Sequence, residues 1–206
     1  MAHVVAIDSA QTWPRHPGWA PDEVTRREDL VRLGLWLFLA TVTMLFAAFT
    51  SAYVVRRSGH DWRPVALPAV LWINTGILAL SSVAVEVARW SGTRARWSAA
   101  GVAFGFALAL GVGFLAGQYV AWRQLVDAGV YLSTNPHSSF FCMMTGAHAL
   151  HIVAAIAVLA WGARKTWNAA AGRDRRGWLA SIGLCRTFWH YLGAVWIYLF
   201  VVMSVL

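Results

Sequence analysis

Five long apolar runs, about Gly34 to Val55, Ala66 to Val87, Ala99 to Ala121, Ser139 to Trp161 and Gly177 to Leu206, fill most of the 206-residue chain. Each is long enough to cross a bilayer as a helix, which takes roughly 20 residues at about 1.5 Å apiece. Only short polar connections separate them. The pattern predicts an all-α fold, a polytopic transmembrane bundle of five spans over residues 31–206, behind a polar arm over residues 1–30. Pro14, Pro17 and Pro21 oppose helix early in the arm, and Asp22 offers an N-cap ahead of a short amphipathic approach to the membrane. No cleavable signal peptide is expected, because the first thirty residues have no apolar core and include Asp8, Asp22, Glu23, Glu28 and Asp29.

The fourth run is the most informative, because Thr145, His148 and His151 lie near its middle. Polar groups at that depth need partners, and two histidines three residues apart share a helical face that must look into the protein or towards a bound polar group. The third run is rich in glycine (Gly101, Gly105, Gly111, Gly113, Gly117), which predicts close helix contacts. In the first, Thr41 and Thr43 can return their hydroxyls to backbone carbonyls. In the second, Glu86 precedes Arg89 by three residues, a spacing that allows an interfacial pair or a contact with headgroups or a partner. In the fifth, Arg186 is close enough to the membrane edge to snorkel, and His190 lies deeper, where it could meet His148. The longest outer connection is expected between Asp127 and Ser138. Trp62, Trp72, Trp90, Trp97, Trp122, Trp161, Trp167 and Trp178 fall near span ends, as an aromatic belt would.

Composition agrees. The chain is 59% hydrophobic and 13% charged, against about 25% charged in soluble domains. Its net charge of +8 would suggest nucleic acid in a soluble protein. Here the cations follow the loops: twelve Lys and Arg fall on the side that holds the N-terminus and four on the other. That asymmetry puts the N-terminus in the cytoplasm and the C-terminus outside, with no call for a nucleic-acid partner. Cys142 and Cys185 lie in different spans near opposite membrane faces and read as small packing residues.

Buried histidines also invite a metal or haem, but His148 and His151 offer only part of a coordination sphere and no second ligand set accompanies them. A proton or ion path is disfavoured, since Glu86 is the one acid within any span and it lies near an edge. No P-loop, GxSxG, HExxH or CxxC pattern occurs.

Several ordered motifs resemble subunit III of the haem–copper oxidases, the cytochrome c oxidase type. Phe140-Phe-Cys-Met-Met-Thr-Gly-Ala-His-Ala-Leu-His-Ile resembles the TGxHxxHV signature. Arg32-Leu-Gly-Leu-Trp-Leu-Phe-Leu-Ala-Thr-Val-Thr-Met-Leu-Phe46, which contains Trp36, looks like the GxWxFLxxExMxF helix. Asn74-Thr75 with Ser81-Ser82 is similar to NTxxLxxSS, Phe114 to Trp122 to FxxxQxxEW, and Thr187-Phe-Trp-His190 to Trp196 to YWHFxDxVW. The resemblance covers all five spans. It departs where the family carries acids, which here are Val42, Ala121 and Gly193.

The resemblance implies a non-catalytic subunit without cofactor, packed on subunit I of a respiratory terminal oxidase in the bacterial inner membrane. Haem and copper then belong to subunits I and II, with a small subunit IV as a further neighbour, and cytochrome c delivers electrons to the partner. Family roles of lipid binding, support of proton uptake and protection against turnover-linked inactivation are implied as well. The implied lipid or subunit contacts are His148, His151, His190, Trp189, Thr145, Glu86, Arg186 and Trp36. Alternatives are a related accessory protein of nitric oxide reductase, or a stand-alone haem-binding membrane cytochrome.

Overall fold

The computed structural model describes residues 23–60, 62, 67–130, 136–173 and 178–205. Five helices follow one another: α1 (Glu23–Arg57), α2 (Val70–Thr93), α3 (Trp97–Asp127), α4 (Pro136–Ala170) and α5 (Trp178–Val205). All five are long and apolar enough to cross a membrane, as the five runs require. Asp22 and the arm prolines lie outside the described residues.

Four of the helices overrun their apolar runs, most of all α1 and α4, because polar residues such as Arg32, Arg164 and Lys165 are good helix formers that continue the turn into the headgroup zone. One expectation therefore falls. The connection placed between Asp127 and Ser138 shrinks to 128–135, and the stretch from 58 to 69 is longer.

Three helix ends close in the same way. After α3, Gly129 N–H bonds Val126 O and Val130 N–H bonds Leu125 O; after α4, Gly172 and Arg173 bond Ala169 and Asn168; after α2, Ala95 and Arg96 bond Gly92 and Ser91. This paired bonding is the Schellman pattern, which needs a left-handed residue at its centre. Gly129 (φ 76°) and Gly172 (φ 78°) take that conformation freely, whereas Ala95 (φ 57°) takes it against its own Cβ.

Helices α2, α3, α4 and α5 pack into a ring, and α1 lies against α4 and α5. Small residues set the spacing. A Cβ added at Gly92 would collide with the Trp178 ring, at Gly101 with Trp167, at Gly111 with Trp189 and at Gly117 with the Asn74 amide. Of the five glycines expected to make close contacts, Gly105 and Gly113 instead face open space. The tryptophans divide in the same way. Trp72, Trp90, Trp161 and Trp167 are exposed on the bundle surface. Trp178 is core, donating its indole N–H to Thr166 Oγ1 at 3.0 Å and lying edge-on to Trp97; Trp122 likewise donates inward, to Thr145 Oγ1.

Candidate functional site, an ion cluster between two membrane helices

Glu86 on α2 stands opposite Arg186 and His190 on α5, which are four residues apart and so present one face. Arg186 donates from Nε to Glu86 Oε1, and His190 donates from Nε2 to the same oxygen at 2.7 Å. The carboxylate acceptor makes Nε2 the protonated ring nitrogen. The cluster is not sealed: the side chains of Arg186, Glu86 and His190 are 42%, 39% and 35% exposed. Glu86 is seven residues from the end of α2 and Arg186 eight from the start of α5, so both lie about 10–12 Å inside their helix ends.

Beside the cluster runs a groove of about 330 Å³ between α2 and α5, lined by Thr75, Leu78, Ser82, His190, Gly193 and Ile197 among others. A second groove of about 330 Å³, between α1 and α5, is apolar and bounded by Thr43, Phe46, Tyr191 and Tyr198. Tyr191 is in hydrogen-bond contact with Thr43 Oγ1 at 2.6 Å and donates to Leu39 O at 3.1 Å, tying α5 to α1. Nothing in the sequence singled out Tyr191; its signal is position, one residue beyond His190 and hence turned towards the next helix.

Three expectations for this region are corrected. Glu86 turns to α5 and not to Arg89, and Arg186 is held by Glu86 and does not reach for the edge. In a medium of low dielectric an opposite charge on a neighbouring helix is a stronger partner than one on the same exposed helix face. His190 and His148 do not meet either, because His190 faces α2 while His148 faces an aromatic box. The His148 ring lies 6.2 Å from Phe46, 6.1 Å from Phe114 and 5.4 Å from Trp196, centroid to centroid. Trp196, which packs on His148, is six residues beyond His190 on α5, so the two histidines differ in level by about 9 Å as well as in direction.

The eight sequence-derived contact residues thus separate into an enclosed group and an outward one. Thr145, His148 and Trp189 are fully enclosed by the chain's own helices. Thr145 donates to Phe141 O and accepts from Trp122, and Trp189 lies over Gly111. His151 is half-buried, bonds Ala147 O through Nδ1 at 2.7 Å and lies 5.8 Å from the Phe46 ring. Glu86, Arg186, His190 and Trp36, itself 63% exposed, present surface outward. Thr41 and Thr43 bond Phe38 O and Leu39 O as expected, and the two cysteines are free, Cys185 donating to Val158 O.

Among the described residues no group of three or more His, Cys, Asp or Glu could hold a metal ion. Val42 and Ala121 are core residues, and Gly193 is buried at the groove wall, where an added Cβ would first meet Ser82 Oγ at 3.8 Å.

Fold and site together define a multi-pass α-helical membrane protein whose polar groups join helix to helix. Residues 22–205 match the family of cytochrome c oxidase subunit III, and the chain belongs to that family. It is 28% identical over 201 residues to the cytochrome c oxidase subunit 3 of Thermostichus vulcanus, covering 91% of this chain and 92% of that one. The cytochrome c oxidase subunit 3 of Alkalihalophilus pseudofirmus is 26% identical over 206 residues, covering 96% and 95%. The cytochrome bo(3) ubiquinol oxidase subunit 3 of Pseudomonas aeruginosa is 27% identical over 175 residues, 82% of each chain.

Proposed function

We propose that this subunit III carries no redox centre and serves as a packing and stabilising subunit on subunit I of a bacterial inner-membrane terminal oxidase. The observation that carries the reading is the Glu86–Arg186–His190 cluster, ionic and partly open some 10–12 Å inside the helix ends. Hydrocarbon tails cannot satisfy a carboxylate and a guanidinium, so a polar group from a neighbouring helix or a phospholipid headgroup completes the cluster. The exposed face of α1, with Trp36, Leu37 and Met44, adds apolar area for the same contact. Small residues on α3 and α4 keep the bundle tight, so the subunit offers a rigid face.

In this reading the five-helix domain, residues 31–206, follows a cytoplasmic arm, residues 1–30, and the C-terminus lies outside. Haem and copper reside in subunits I and II, where electrons from cytochrome c reduce oxygen. His148, Thr145 and Trp189 shape the bundle, while Glu86, Arg186, His190, His151 and Trp36 meet lipid or partner. The test is removal of the chain from the assembled oxidase. The remaining core is expected to keep its haem spectrum and initial rate of oxygen reduction but to lose activity faster during turnover. Loss of haem in proportion to loss of this chain would overturn the reading.

A further inference from the structure

Three polar side chains buried inside the helix ring have hydrogen-bonding capacity that the protein does not use. Asn74 on α2, Gln118 on α3 and His148 on α4 are 0%, 2% and 1% exposed. Asn74 Oδ1, both amide atoms of Gln118 and both ring nitrogens of His148 have no protein partner.

The three are linked through shared neighbours. Asn74 donates from Nδ2 to Phe114 O, and the Phe114 ring lies 6.1 Å from His148. Gln118 is one turn beyond Phe114 and one turn before Trp122, which bonds Thr145 on α4. In this antiparallel pair Gln118 therefore stands at the level between Thr145 and His148. Trp196 packs on both Phe114 and His148.

The surrounding donors are already spent. Trp196 Nε1 donates to Thr75, Trp122 Nε1 to Thr145, and the Thr145 hydroxyl to Phe141 O. Ala121, fully enclosed one turn along α3 from Gln118, adds no bulk or polarity. What is left over is mixed: acceptors on Asn74, Gln118 and His148, donors on Gln118 and His148. A cation would find no carboxylate there, and an anion no cation. Water, with two donors and two acceptors, matches both kinds and needs only two to four polar partners.

We propose that the bundle core holds an internal water site bridging His148, Gln118 and Asn74. Buried amides and imidazoles are hydrogen-bonded as a rule, and bridging water is the ordinary partner where side chains cannot reach one another. The site joins α2, α3 and α4 through solvent in the same way that the ion cluster joins α2 and α5 through charge.

The test uses the intact oxidase complex. A density map sharp enough to show ordered solvent is expected to place a peak within hydrogen-bond distance of a His148 ring nitrogen and of Gln118 or Asn74. No peak there, or a direct Gln118–His148 bond, would overturn the proposal. Thermal melting gives a second readout: His148→Leu and Gln118→Leu are each expected to lower the midpoint, and the double variant to lower it by less than the two shifts added. A rise in the midpoint for either single variant, or strict additivity, counts against a shared water. If a variant does not accumulate, the wild-type map alone decides.

Discussion

His190 Nε2 lies 2.7 Å from Oε1 of Glu86, an oxygen that also accepts from Arg186. One carboxylate on α2 thus gathers a cation and an imidazole from two successive turns of α5. Glu86→Gln would leave Arg186 without its counter-charge in a lipid-facing position. The expected loss is roughly 2 kcal/mol, the scale of a hydrogen bond to a charged group, read as a lower melting midpoint of the complex. The double variant Glu86→Leu with Arg186→Leu should recover most of it, because removing both charges is far milder than removing one. Equal losses in the single and double variants would mean that the pair is not coupled.

Gly193 follows His190 by three residues on the same helix and borders the same groove. Space for a side chain exists there, with Ser82 Oγ 3.8 Å from the position of an added Cβ. Gly193→Asp should therefore rescue part of the stability lost in Glu86→Gln by returning a carboxylate beside His190, one turn away on the same helix. In the wild-type background the same change sets a second carboxylate near the His190 ring that already meets Glu86 and should lower the midpoint. Melting of the four combinations tests both signs.

The glycines separate by what they face. Gly92→Ala would drive a methyl into the Trp178 ring and should cost roughly 1–3 kcal/mol, the range for overpacking. Gly105→Ala and Gly113→Ala point into open space and should stabilise the helix by up to about 1 kcal/mol. Denaturation of purified variants in mild detergent would rank them.

Ala95 holds the left-handed position between α2 and α3 at φ 57°. Ala95→Gly should stabilise the protein by about 1 kcal/mol, since glycine takes that conformation without steric cost. An unchanged midpoint would show that this turn carries no strain.

The spans were legible because length and hydropathy alone decide whether a helix crosses a membrane. Burial of His148 was legible too, since a polar pair on one helical face cannot look into lipid. The partner of Glu86 was not, because spacing along one helix sees Arg89 but not Arg186, a hundred residues away. A signal was nonetheless present: Glu86 and Arg186 are opposite charges inside separate apolar runs, and each makes the other affordable at depth. The separate destinations of His148 and His190 were hidden for a related reason. The relative level and the rotation of two helices are both set by packing, such as His148 against Trp196 and Trp189 over Gly111, and counting residues from a span edge sees neither.

On the proposed function, a neighbour in an oxidase complex completes the outward polar cluster of Glu86, Arg186 and His190. Capture from gently solubilised membranes through a tag on this chain, with mass and visible spectrum recorded together, tests it most directly. A haem-bearing core subunit is expected in fixed proportion, with less of it retained when Glu86→Leu and Arg186→Leu are combined. Recovery of the chain alone, or a Soret band that stays with the chain after every other polypeptide is removed, would rule out a cofactor-free subunit completed by its neighbours.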